Sequence, residues 1–588
     1  MNVKVGEVIA VNGTKVSVRL DEDSNRETLF FNGERFRGVS IREYIAIRRG
    51  FRDIICMVEG EYLDERKVES GARPDFVRRI DVKPIGHYTN KKFAQGIKYM
   101  PMIRDQVFLV SEEVVGNIFG GRVGSRLSIG RLLKEEIEVG LPWQKLFNSH
   151  IGIFGNTGSG KSNTLAKLYT VVLNDDTLAI EGKSSFFILD FNGEYTGAQI
   201  VSPERKAVYR LSTHGDGTDK FPIHENEFWD SETLSVLFQA TRNTQRPFLN
   251  RLVDGKKKYD SNVGSLAAHI KATFKRGLAS AHPRPDSLDL LRRVAGLIGA
   301  SVVEDQLQKV SWHSGQQKFY VPSMSGTYFD ADGAIYDAVL SECINDLSPG
   351  TLDAFDQLII RAHLQLVNEL SIGHVQFDHI QPLIKRMESS VRSLRKVIHV
   401  GSVEAPVRML SVISMRRCNN EVKKVFPLIL AKHFYETHKD VAGFPPDRTA
   451  HLIIDEAHNI LSQQSAREQE GWRDYRLELF EEIVKEGRKF GFFLTVSSQR
   501  PADISPTIIS QLHNFFIHRL INERDLQLID NTITTLDSIS KSLIPGLAQG
   551  SCVATGTAFD VPMLMQVDPL ASSQQPDSQD IDLEVLWR

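Results

Sequence analysis

Residues Gly155, Asn156, Thr157, Gly158, Ser159, Gly160, Lys161 and Ser162 are consecutive and combine three glycines with a lysine and a terminal hydroxyl. Glycines so spaced let successive backbone N–H groups curl around a phosphate, while the helix that follows turns its positive end toward the same anion. Lys161 then neutralises β- and γ-phosphates. Ser162 offers its hydroxyl to Mg²⁺, which takes oxygen ligands octahedrally and keeps several waters. With Asn163 opening the helix, this run predicts ATP and Mg²⁺ as cofactors. A glycine-rich turn without a ligand is the alternative. The flanking residues weigh against it: Ile151 to Phe154 reads as a buried strand and Asn163 to Leu173 as the helix after the loop.

Asp455 and Glu456 follow the apolar run His451 to Ile454, and so fall at the carboxyl end of a strand, where open α/β sheets bind ligands. Asp455 is expected to hold the metal, directly or through water. Glu456 is expected to accept a proton from the attacking water. Alone, such a pair marks a helix N-cap as readily as a site; beside a phosphate loop it reads as a hydrolytic pair. Gln499 ends the next apolar run, Phe492 to Ser498, and its amide is either a γ-phosphate sensor or a loop glutamine. Arg488 closes a helical pattern through Leu477, Phe480, Ile483 and Val484. It has two readings: an arginine finger reaching a neighbour's ATP, or a cation suited to a helix C-terminus.

The elements that must position these groups divide the chain into five. Short alternating runs from Val5 onward, with a turn at Asn12-Gly13, predict a small β-barrel over 1–130. The first part of a doubly wound α/β nucleotide-binding core, with the phosphate loop, spans 131–225. Over 226–400 branched runs thin out and helical spacing dominates, as in Leu358–Val367 and Ile380–Val400, which predicts a helical insertion. The second part of the core spans 401–570; its strand runs are rich in branched and aromatic residues, as parallel strands covered on both faces are. The tail, 571–588, reads as a frayed end in preference to a docking arm.

Composition excludes more than it identifies. The chain has 588 residues, 41% hydrophobic and 25% charged, with a net charge of −3. That is the balance of an ordinary multidomain globular protein, without a global positive field to attract nucleic acid. Cys56, Cys343, Cys418 and Cys552 form no CxxC pair, so neither a zinc spacing nor a disulfide framework is expected. No window approaches the roughly 18 consecutive apolar residues of a membrane-spanning helix, and the start lacks a signal pattern, so a cytoplasmic location is expected. One local exception is the basic stretch Lys385–Lys424, including Arg392, Arg395, Lys396, Arg416 and Arg417. It reads as a solvated helix face, or as a contact to nucleic acid or another subunit. The run Ser212–Lys220 is a candidate DNA-contacting loop or a plain turn.

Taken in order, several motifs resemble the HerA branch of the HerA–FtsK superfamily of hexameric DNA-pumping ATPases. They are Val5-Gly-Glu-Val8, Ile129-Gly-Arg-Leu-Leu133, the loop Gly155–Ser162, Leu189-Asp-Phe-Asn-Gly-Glu-Tyr195, Ile454-Asp-Glu-Ala-His458, Glu486-Gly-Arg-Lys-Phe-Gly491 with Ser498-Gln-Arg-Pro501, and Leu543–Gly556. The resemblance implies a RecA-like core in six-subunit rings, with ATP at subunit interfaces and double-stranded DNA in a central channel. It supports Gln499 as sensor and an arginine acting in trans, Arg488 first and Arg519 or Arg524 as alternatives. It also implies a separate effector protein, a nuclease or a Sir2-like NADase, in DNA end processing or anti-phage defence. The family commonly carries Pro and His where this chain has Asp190-Phe-Asn-Gly, which leaves Asn192 without an assigned role. A ring scaffold that activates an effector, with translocation secondary, shares every one of these ATPase residues. A membrane-associated conjugation or secretion motor is a third, weaker reading.

Overall fold

The computed structural model describes residues 3–24, 26–66, 75–119, 127–215, 219–260, 265–324, 326–347, 349–402, 408–463, 470–577 and 583–587. Six antiparallel strands form the N-terminal barrel. Lys15–Leu20, Lys4–Asn12, Gln106–Leu109, Tyr44–Arg49, Arg52–Arg66 and Asp75–Thr89 pair in that order, and Val18 opposite Ile80 closes the ring. Alternation explains the closure: Val16, Val18 and Leu20 are buried, while Lys15 and Arg19 at the alternate positions are exposed. The barrel's outer side adds Tyr44, Ala46, Ile55 and Met57 to the core beneath the large sheet, so the two units share apolar surface.

The large sheet has eleven strands. Seven are parallel, in the order Asn514–Ile517, Ile151–Phe154, Phe492–Ser498, Thr449–Ile454, Ser184–Asp190, Leu410–Arg417 and Lys206–Ser212. Antiparallel strands Ser551–Gly556, Met563–Val567, Leu127–Leu132 and Glu138–Leu141 extend it beyond Asn514–Ile517. Leu127–Leu132 therefore belongs to this sheet although it straddles the expected limit at 130. Successive residues feed two different cores: Ile153, Ile188, Ile453 and Phe516 join one, Phe154, Leu189, Ile454 and Phe515 the other. Burial on both faces is why these strands read as continuous apolar runs.

The segment between residues 225 and 397 is helical apart from a small hairpin, Ser311–His313 with Lys318–Tyr320. Its apolar interior is continuous with that of one sheet face. A two-stranded parallel ribbon, Phe221–His224 with Ile398–Gly401, joins its two ends. The helix Phe377–Val397 stops three residues before the expected Val400, because β-branched Ile398 and Val400 enter this ribbon. Among the described residues no helix is long and apolar enough to cross a membrane, and all four cysteines are free.

Candidate nucleotide-binding site

The phosphate loop leaves strand Ile151–Phe154 and enters helix Lys161–Leu173. Gly158 and Gly160 take φ of 72° and 106°, where a side chain would be strained. A Cβ on Gly160 would also stand 2.8 Å from the Gly550 backbone. Neighbouring strand ends brace the loop. Gly155 N donates to Ser498 O at 3.3 Å, Asn156 N to Arg519 O at 2.9 Å, and Gly550 N to Ser159 O at 2.8 Å. The Thr157 hydroxyl donates to the Gln499 amide oxygen. The resulting pocket, of about 1010 Å³, is lined by Asn156, Thr157, Gly158 and Gly160 through Asn163, and by Glu456 and Gln499 across from them.

Glu456 adopts φ 49°, an uncommon conformation for a non-glycine residue that is typical of functional sites. Its Oε1 lies 3.5 Å from Lys161 Nζ and its Oε2 3.2 Å from His458 Nδ1. Burial works to raise the Glu456 carboxyl, but the His458 hydrogen bond and the charge of Lys161 outweigh it and hold the group below its ordinary value. A depressed carboxyl stays ionised, as a proton acceptor must. Asp455, 1% exposed, accepts from Ser497 Oγ at 2.8 Å, from Tyr195 Oη at 3.3 Å and from the Glu456 backbone at 3.0 Å. Its carboxyl is raised by burial, against the charge of Lys161.

The structure adds groups that the sequence left unassigned. Glu194 is 6% exposed, lines the same pocket, and has a buried Oε2 without a hydrogen-bond partner. Its carboxyl is pushed up to about 7, by burial first and the Asp455 charge second, against hydrogen bonds with Ser162 and Asn192. Asp190 accepts from the backbone N–H groups of Gly193, Glu194 and Tyr195, which folds the loop that presents Glu194. Burial pushes the Asp190 carboxyl to about 6. An unpartnered carboxylate oxygen beside Ser162 and Asp455 is the oxygen-donor chemistry that a hard divalent cation takes, and a cation would reverse the upward shifts. Asn192, unassigned in sequence, donates to Glu194 Oε1 at 3.2 Å. The signal for Glu194 was present: it follows a buried strand as Asp455 does.

The basic stretch splits. Arg395 pairs with Asp353 and Asp356 on the helical segment, whereas Arg416 and Lys423 line the pocket. Of the run Ser212–Lys220, positions 216–218 lie outside the described residues. The tail expected to fray departs from that expectation through Asp577. Asp577 N donates to Glu194 O at 3.0 Å, and Pro569, Gln575, Pro576 and Asp577 line the pocket. Backbone pairing and a buried Pro576 hold it there, neither of which leaves a periodic signal. Positions 578–582 and 588 lie outside the described residues.

Arg488 is not in this pocket. It lies in the turn Gly487–Phe490 that feeds strand Phe492–Ser498 at its start, whereas Gln499 follows that strand's end. Seven residues of strand at about 3.3 Å each separate the two by roughly 20 Å. Arg488 is exposed, with Nη1 3.1 Å from His513 Nε2. Arg519 sits against its own phosphate loop through its carbonyl, and Arg524 is exposed on helix Glu523–Thr532 near the same edge.

Comparison with known proteins agrees with this geometry. Residues 127–299 match the family model described as the central domain of helicase HerA. Over 550 residues the chain is 23% identical to the probable DNA double-strand break repair helicase HerA of Methanocaldococcus jannaschii, covering 92% of this chain and 93% of that one. It is 22% identical over 479 residues to the DNA double-strand break repair helicase HerA of Sulfurisphaera tokodaii, covering 80% and 74%. Among solved structures, VirB4 of Thermoanaerobacter pseudethanolicus aligns with 78% of this chain and 100% of its own, at 14% identity and a TM-score of 0.41. A phosphate loop, an Asp-Glu strand end and a polar strand end wedged between them make this site that of a P-loop ATPase, in a chain similar to HerA helicases over nearly its whole length.

Proposed function

We propose that the chain is an ATP-driven translocase or helicase on double-stranded DNA, working as a ring of six subunits. The observation that carries this reading is the separation of Arg488 from its own pocket. An exposed arginine at the amino end of a central strand, opposite the pocket, is out of reach of its own ATP and available to a neighbour's. Similarity to HerA helicases supplies the substrate class.

In the proposed cycle the phosphate loop and Lys161 bind the triphosphate. Ser162 and, directly or through water, Asp455 would hold Mg²⁺, which would supply charge neutralisation on the phosphates. Glu456 takes the proton of the attacking water, Gln499 orients that water against the γ-phosphate, and Arg488 of an adjacent subunit spreads the transition-state charge. Lys161 contacts Glu456 across the pocket, so a bound triphosphate competes for the lysine and frees the carboxylate for water. The resemblance to effector-associated members supports a separate nuclease or Sir2-like NADase as partner, in end processing or anti-phage defence within the cytoplasm.

The test is ATP hydrolysis by the purified chain with and without double-stranded DNA, with its mass measured in the same buffer. A six-subunit species whose turnover rises with DNA supports the motor. A ring indifferent to DNA would sink it and favour the scaffold reading.

A further inference from the structure

The C-terminal segment crosses the mouth of the nucleotide pocket and is fastened at two points. At one end the Asn163 side chain clasps it, with Nδ2 donating to Asp568 O and Oδ1 accepting from Leu570 N, both at 3.2 Å. Leu570 is 5% exposed and anchors that end in the core. At the other end Asp577 N donates to Glu194 O at 3.0 Å. Between them Gln575 Nε2 donates to Leu570 O at 2.9 Å, which folds the segment back on itself, and Pro576 is buried. Pro569, Gln575, Pro576 and Asp577 all face the pocket.

The chemistry of this strap differs from the rest of the lining. Lys161, Arg416 and Lys423 supply the pocket's cations, and none belongs to the strap. Both of its charges, Asp568 and Asp577, are negative, and a carboxylate set against phosphate oxygens repels them. Proline rings and an amide, by contrast, suit a surface that packs a base and hydrogen-bonds a sugar. Position agrees with composition. Lys161 and Gln499 mark the end of the pocket where the terminal phosphate belongs. Asn163 lies one residue beyond Ser162 along the helix, and the strap starts from its side chain.

We infer that Asp568–Asp577 is the nucleoside-recognising wall of this pocket, with Asp577 accepting hydrogen bonds from the sugar hydroxyls and the prolines bordering the base. The inference rests on the assignment of the pocket to a nucleoside triphosphate. It adds that the chain's C-terminal segment, and not the phosphate loop, distinguishes a nucleotide from a bare polyphosphate.

The experiment measures binding of Mg·ATP and of Mg·tripolyphosphate to the full chain and to two full-length variants. One carries Gln575→Ala, Pro576→Gly and Asp577→Ala together; the other carries Asp577→Ala alone, a change at an exposed side chain that guards against a folding defect. The triple variant should lose about tenfold in ATP affinity, the worth of one or two hydrogen bonds, and keep its tripolyphosphate affinity within about twofold. Asp577→Ala should show a smaller loss of the same kind. Unchanged ATP affinity in both variants, or equal losses for the two ligands, overturns the proposal. So does an unaltered chain that binds tripolyphosphate as tightly as ATP. An unaltered chain that binds neither ligand removes the nucleotide assignment itself, and the strap with it.

Discussion

The two ends of the same parallel strands carry opposite kinds of buried polar group. At the carboxyl ends, Asp190, Glu194 and Asp455 are acids raised by burial, and Glu194 keeps an oxygen with no partner. At the amino ends, His150 is fully satisfied: its Nδ1 accepts from Leu494 N at 2.9 Å and its Nε2 donates to Val484 O at 2.9 Å. Burial drives the His150 ring down to about 3, so it is neutral and structural. Nearby His451 stacks on Phe186 at 4.6 Å and is likewise driven to about 3. An unmet polar group at one end is capacity for a ligand; a satisfied one at the other end is scaffold. Arg488 departs from the division as an exposed cation on the scaffold end, and beside it His513 keeps a buried Nδ1 without a partner.

The sharpest way to break that contrast is at the ligand end. Lys161→Ala should reduce ATP hydrolysis to background, a fall of at least about 10²-fold, because a fixed cation on the transferred phosphoryl is lost. Retained turnover in a steady-state assay would place the chemistry elsewhere. Glu456→Gln should lower turnover by about 10²-fold or more with ATP still bound, as expected when a proton acceptor is removed without disturbing the phosphate cradle. A parallel loss of binding would reassign Glu456 to structure.

Arg488→Ala tests the exception. Turnover should fall on the order of 10²-fold with ATP affinity unchanged. Mixing Arg488→Ala subunits with Lys161→Ala subunits should restore part of it, since each supplies what the other's interface lacks. No recovery on mixing removes the trans role and leaves Arg488 as a helix-end cation.

The scaffold end predicts acid sensitivity. His150 and His451 have folded values near 3 against an ordinary 6.5, so the unfolded chain binds more protons between those limits. Stability from these groups is present above pH 6.5 and is lost as pH falls toward 3. Between pH 6.5 and 5 each loses on the order of 2 kcal/mol. His451→Phe, which keeps the ring stacked on Phe186, should flatten the fall in melting temperature between pH 7 and 5. An unchanged pH profile would mean that His451 is not buried neutral.

What the sequence disclosed follows from how local each signal is. The phosphate loop, Asp455-Glu456 and Gln499 are strand-end residues, recognisable because an apolar run stops and a polar group begins. The barrel showed itself through alternation, and the helical segment through the absence of branched runs. Glu194 carried the same strand-end signal but stood four residues past its strand, held back by the turn that Asp190 organises. Arg416 and Lys423 were hidden among neighbouring charges, some of which pair on the helical segment. The strap left no trace, since its placement depends on the backbone contact from Asp577 to Glu194 and on the Asn163 side chain, neither of which imposes a period.

The order of strands has a consequence for how the chain is made. Strand Ile151–Phe154 lies between two strands that do not yet exist when it leaves the ribosome; Leu494, which bonds to His150, comes 344 residues later. At about 5–20 residues per second, that is roughly 17–70 s during which an apolar strand and its glycine loop wait without neighbours on either side. The helical segment is synthesised within that interval. Nascent chains of this protein should therefore depend on chaperones throughout that interval, and the nucleotide pocket should appear only after Gly550 and the strap have emerged.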